Sequence, residues 1–163
     1  GIKELCNVPV VGMTEAALAS ACLLGQRFSI IAISNRIQAW YRECVAANGL
    51  SSRLASVRSL QQPLRDIGSV QEDHVARLEE MSLQAVREDG ADVIIVAGAP
   101  LAGLARTLKD RIPVPVVDGV SSAIRHCESL VALAPKGAAE GSFSRQPHKP
   151  NRGLPPALAA MLA

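Results

Sequence analysis

A chain of 163 residues is long enough for one full-sized domain, and 48% hydrophobic residues with only 2% aromatic make its core one of Ala, Val, Ile and Leu. Seventeen Lys and Arg against fifteen Asp and Glu leave a formal charge of +2, which excludes a strongly basic nucleic-acid surface. So few aromatics exclude a base-stacking surface as well. No apolar run approaches the ~20 residues of a membrane span, and no charged-then-apolar leader opens the chain. Cys6, Cys22, Cys44 and Cys127 show neither CxxC spacing nor a His partner at metal-ligand spacing. The expectation is a soluble, cytoplasmic, reduced protein with no metal, membrane or nucleic-acid partner.

Gly1-Ile2-Lys3-Glu4-Leu5 reads as the last turn of a helix running into a strand at Val8-Pro9-Val10-Val11, so further sequence upstream is expected. An Ala-rich helix follows from about Thr14 to Leu24, closed by Gly25. Phe28 to Ile33 is a buried strand ending in the turn residues Ser34 and Asn35. Ile37, Tyr41, Cys44 and Val45 mark the buried stripe of the next helix, which ends at Asn48-Gly49. A weaker strand covers Leu54 to Leu60. Ser69-Val70-Gln71-Glu72 fits a capping box opening a long helix that stops at Asp89-Gly90. Asp92 to Val96 is the strongest strand, continuous enough to be covered on both faces. A helix from Leu101 to about Lys109 comes next, then a short strand Val114 to Val117 in which Pro115 implies an edge or a strand start. Val120, Ile124, Cys127 and Val131 mark the final strong helix. From Pro135 the composition turns to Pro, Gly, Ser and Lys. This alternation predicts an α/β fold with a parallel sheet and right-handed crossovers.

In such sheets ligands bind beyond the carboxyl ends of the strands. The turn Ala97-Gly98-Ala99-Pro100-Leu101-Ala102 is the most specific of these loops. Gly98 permits positive φ and close approach of a ligand, and Pro100 suits a first helical position. The N–H groups of Ala99 and Leu101 would then face an anion, although a plain tight turn explains the same residues. Thr14 is placed to cap its helix or to bond a carboxylate. Ser34 and Asn35 offer donors at a strand end, or serve only the turn. Asp118 before Gly119 is either a cleft residue or an N-cap. Cys22, Cys44 and Cys127 fall on apolar helix faces and read as core. His74, His126 and His148 have no triad-like partners, and Lys136, Arg145, Lys149 and Arg152 read as a solvated tail.

Three stretches together resemble the aspartate/glutamate/hydantoin racemase family. They are Val8-Pro-Val-Val-Gly-Met-Thr-Glu-Ala-Ala17, Ala91 to Ala105 (ADVIIVAGAPLAGLA), and Ile112-Pro-Val-Pro-Val-Val-Asp-Gly-Val120. Their order and spacing match, and the likeness runs on through Cys127 to Val131. The resemblance implies a Rossmann-like lobe of a two-lobe racemase-type fold, here with the N-terminal lobe incomplete. Residues 1–118 would form one α/β lobe, and 119–163 a helix and tail returning to the other.

The resemblance further implies a racemase or epimerase of amino acids or derivatives such as hydantoins, using no cofactor. In that family a thiolate removes the α-proton on one face and a thiol returns one on the other. Free thiols titrate near ~8.5, so backbone donors must help. The first cysteine belongs upstream of Val8, and the second belongs where Gly98 stands. Neither catalytic thiol is thus expected in this chain, and no catalytic residue is assigned. The substrate-binding set is Thr14, Ser34, Asn35, Gly98, Ala99 and Pro100, for a small carboxylate or amino-acid-like substrate. The alternatives are an inactive fragment or small-acid binding domain, and a one-thiol decarboxylase of malonate-type acids. An exposed apolar cleft face favours self-association into a homo-oligomer.

Overall fold

A computed structural model describes residues 2–61, 66–133, 137–145, 147 and 150–162. Gly1, Lys136, His148 and Lys149 lie outside them. The chain divides into two compact units, one of Gly1–Val10 with Cys127–Ala163 and one of Val11–His126. In chain order the elements are α1 (Ile2–Leu5), α2 (Met13–Leu24), β1 (Phe28–Ala32), α3 (Gln38–Ala47), β2 (Leu54–Ser59), α4 (Val70–Asp89), β3 (Val93–Val96), α5 (Leu104–Leu108), β4 (Val116–Asp118), α6 (Gly119–Ala132) and α7 (Pro156–Leu162).

The larger unit holds a four-stranded, wholly parallel sheet in the order β2-β1-β3-β4. Every residue of β1 and β3 is buried, as near-continuous apolar strands must be when helices cover both faces. Side chains alternate across the sheet. Phe28, Ile30, Val93, Ile95 and Ala97 pack against α2 and α3 through Ala17, Leu18, Ala21, Tyr41 and Val45. Ile31, Ile94 and Val96 pack on the other face against Leu78, Met81 and Ala85 of α4 and Leu104 and Leu108 of α5. β4 is an edge strand, and Pro115 just before it accepts a bond from the Ile94 N–H through its carbonyl.

Gly25 ends α2 in extended rather than left-handed backbone (φ −166°). Its small size is what the fold uses, since a Cβ there would stand 2.7 Å from Asp92 Cβ and 2.8 Å from Val93 Cγ2. The Asp92 carboxylate in turn accepts the N–H groups of Gln26 and Arg27. The helix end and the start of β3 are thereby held together.

Several expectations are corrected. Val8 to Val11 is not a strand: Pro9 gives no ladder donor, and Val8 is 66% exposed with no partner strand among the described residues. Ser69 precedes α4 but forms no capping box; its hydroxyl donates to Asp73 at 2.7 Å instead. The stretch after β3 is a short 3₁₀ turn, Ala99–Leu101, and α5 starts only at Leu104. The apolar stripe of α6 is not buried, with Ile124 55% and Val131 62% exposed. Cys44 is half-buried beside the fully buried Val45, and Cys6 and Cys127 are half-buried too. Cys22 does pack against the core.

The edge strand β2 is tied to α4 by charge. Arg58 reaches Asp89 through Nε at 2.7 Å and Nη2 at 2.8 Å, and Glu88 through Nη2 at 2.7 Å. Asp89 also accepts from Ser56 at 2.6 Å. Arg58's hydrogen bonds hold the Asp89 carboxyl below the usual carboxylate range. Asp89→Asn should therefore lower stability to urea by about 1–3 kcal/mol at neutral pH, because it leaves a half-buried guanidinium poorly paired. A depressed folded-state pKa stabilises above the unfolded value and loses that contribution as pH falls. The gap between wild type and variant should close in acid, below about pH 4.

Candidate functional site

At the carboxyl ends of β1 and β3 the sheet opens into a cavity of about 260 Å³. That is room for a small ring rather than for a drug-sized ligand, whose pockets run to roughly 300–1,000 Å³. Ile30 and Ile95 form its floor, and Ile33, Ile37, Trp40 and Tyr41 one wall. The start of α2 (Met13, Thr14, Ala17, Leu18), Gly119 of α6 and the turn Ala97 to Pro100 complete it. Among the described residues none of its lining side chains carries a charge. The polar side chains present are the hydroxyls of Thr14 and Tyr41 and the indole of Trp40.

Gly98 has φ +106° and ψ 147°, a backbone region essentially reserved for glycine. A Cβ built there would lie 3.6 Å from Pro100 Cδ and 3.7 Å from Tyr41 Oη. The turn is thus open to a ligand but closed to any side chain that keeps this backbone. Its anion-facing expectation fails in part. The N–H of Leu101 donates to Gly98 O and that of Ala102 to Ala99 O, both at 3.0 Å, so they close the turn on itself. The five-residue α5 starts only beyond the turn and aligns no helix dipole there.

Thr14, Gly98, Ala99 and Pro100 all line the cavity; Ser34 and Asn35 do not. Thr14 does not cap α2, whose N-cap is Gly12. The Ser34 hydroxyl accepts from the Arg36 N–H at 3.3 Å, a turn bond. Asn35 is engaged by Gln61, Gln38 and Ser59, the Gln38 Nε2 donating to its Oδ1 at 2.9 Å. Asp118 is buried and caps α6, accepting the Ser121 N–H at 2.8 Å and the Gly103 N–H at 3.3 Å. His126 Nε2 lies 3.1 Å from Ser20 Oγ, away from the cavity lining.

Met13, Trp40, Tyr41 and Gly119 were not singled out by sequence reasoning. One signal was there: the sole Trp and the sole Tyr are adjacent in a chain almost free of aromatics. Their rings meet edge to face, with centroids 5.0 Å apart. Burial, and secondarily the nearby Cys44 thiol, pushes the Tyr41 phenol above its ordinary value of 10.0. No helix of the described residues is long and apolar enough to cross a membrane, and no group of His, Cys, Asp or Glu among them could hold a metal.

The model of the Asp/Glu/Hydantoin racemase family matches residues 1–127. A hydantoin racemase of Paenarthrobacter aurescens is 37% identical over 151 residues, 91% of this chain and 63% of that protein. One from Pseudomonas sp. (strain NS671) is 30% identical over 134 residues, 82% of this chain and 54% of that protein. The crystal structure of allantoin racemase from Pseudomonas fluorescens superposes with TM-score 0.83 at 35% identity, covering 94% of this chain and 65% of that one. Allantoin racemase from Klebsiella pneumoniae gives 0.85 at 30% identity, over 93% and 62%. The α/β fold with its parallel sheet is the fold of these racemases, and the chain spans less than two thirds of each.

Two outcomes follow for this site. Gly98→Ala should cost about 1–3 kcal/mol in thermal or urea unfolding, from backbone strain alone. Tyr41, as the only tyrosine, can be titrated by ultraviolet absorbance. The midpoint of phenolate formation should lie above the ordinary value of 10.0, or ionisation should coincide with unfolding.

Proposed function

Since the chain belongs to the Asp/Glu/hydantoin racemase family, we propose that it supplies one lobe of a cofactor-independent racemase or epimerase acting on neutral, ring-type amino-acid derivatives such as hydantoins. The cavity at the ends of β1 and β3 is its share of the substrate site. One observation carries the choice of substrate: the lining has donors but no charged side chain. A hydantoin ring brings carbonyls and N–H groups without a formal charge. Aspartate and glutamate would bring two carboxylates into an apolar hollow with no cation to receive them, which burial penalises.

Racemisation by two groups needs an acceptor for the α-proton on one face and a donor on the other. The resemblance to the family implies a cysteine in the turn after this strand, where this chain has Gly98. The lobe accordingly holds and polarises the ring, while proton removal by a thiolate falls to the other lobe of the full-length protein. Thr14, Gly98, Ala99 and Pro100 are the residues assigned to binding. By itself the 163-residue chain binds without racemising.

Trp40 lines the cavity and is the only tryptophan, so its fluorescence reports occupancy directly. A hydantoin bearing a benzyl group should give a saturable change, with Kd of order millimolar, roughly 4 kcal/mol of binding. Aspartate should give none. Deuterium exchange at the ring carbon next to the carbonyl should not exceed the buffer rate. A saturable aspartate response without a hydantoin response would overturn the substrate assignment; catalysed exchange would overturn the division of labour between lobes.

A further inference from the structure

Tyr41 differs from every other wall residue of the cavity. It belongs to the core, at 3% exposure, and yet its hydroxyl has no hydrogen-bond partner among the described residues. No fully sealed polar side-chain atom among them lacks a partner, and Tyr41 lines the cavity, so its oxygen opens onto that space. A phenol kept for packing alone gains nothing from such an oxygen, whereas a donor that opens onto a cavity is free to meet an acceptor seated there.

The position of the oxygen is specific. It lies 3.7 Å from where a Cβ on residue 98 would stand, so the room left by Gly98 is the room in front of the Tyr41 hydroxyl. The ring is fixed from both sides. It occupies the buried stripe of α3 with Val45, and Trp40 packs against it at an interplanar angle of 62°. Little side-chain freedom remains to be lost when a ligand arrives.

We propose that Tyr41 is a substrate-binding residue of this lobe, its O–H donating a hydrogen bond to a carbonyl oxygen of the ring-type ligand seated against Gly98. A phenol is protonated across the neutral range, as a donor must be, and burial here shifts its ionisation further up. When the adjacent C–H proton is removed, negative charge spreads onto that carbonyl oxygen. The same hydrogen bond then strengthens, as preorganised donors do at a developing oxyanion. Gly98 and Tyr41 act together, one giving space and the other the donor. The assignment rests on the neutral-ring reading of the cavity given above.

Tyr41→Phe keeps the ring and removes only the oxygen. With the benzyl-bearing hydantoin, the variant's Kd read from Trp40 fluorescence should rise about tenfold, equivalent to about 1.4 kcal/mol. Its Kd for toluene, which has no carbonyl, should stay within twofold of wild type, showing that the cavity is intact. In the wild-type chain the isotope-labelled Tyr41 Cζ signal should shift in NMR with the hydantoin and hold still with toluene. Unchanged hydantoin affinity in the folded variant, or a still Cζ signal at saturation, overturns the role of Tyr41 and leaves the neutral-ring reading standing. If the wild-type chain binds toluene but no hydantoin, the neutral-ring reading falls and the Tyr41 assignment falls with it.

Discussion

The parallel pairing of β1 with β3 is the constraint on which the rest depends. Phe28 faces Val93 and Ile31 faces Val96, and both strands are covered on both sides. Parallel strands put their carboxyl ends side by side, so the residues after Ala32 and after Val96 emerge at the same edge of the sheet. The cavity is the gap between those two exits. Because burial on two faces leaves a one-residue register slip no tolerable alternative, the spacing of Ile33 from Gly98 is set by the core and not by the loops.

Around that pair, polar chemistry is confined to places where it is fully partnered. Asp92 ties the end of α2 to β3, Asp118 caps α6, and Arg58 with Asp89 fastens the edge strand. The cavity has the reverse character: an apolar hollow with two hydroxyls and no charge in its lining. Such a hollow does little for a free carboxylate and much for a compact amide ring, whose own donors and acceptors need only a few counterparts. This contrast, more than the size of the cavity, is what the proposed choice of a hydantoin-like over an aspartate-like substrate rests on.

The sequence announced its central strands because Phe-Ser-Ile-Ile-Ala and Val-Ile-Ile-Val are apolar beyond what any one-faced element tolerates. It also placed the glycine turn at a strand end. It misplaced Val8 to Val11, since an apolar run becomes a strand only when a neighbour supplies hydrogen bonds. It overlooked Tyr41 for a related reason. Helical periodicity tells which face of α3 is buried, but not which buried residue abuts a void. The anion-facing turn failed in part, on a still finer detail. Whether the N–H groups of Leu101 and Ala102 point outward or close on the turn depends on the backbone angles of Ala99 to Leu101, which follow the positive-φ Gly98.

The angles of Gly98 give that residue an unusual standing. At most other lining positions a substitution exchanges one side chain for another over the same backbone, while at Gly119 a Cβ would press on Met13 at 3.0 Å. At Gly98 there is room for a Cβ beside Pro100 and Tyr41, but any replacement must bear the strain of φ +106° or redraw the turn. A side chain placed there therefore comes at the cost of a less stable turn. The position is held by the shape of the main chain, so at residue 98 the contour of the cavity and the stability of the fold cannot be altered independently.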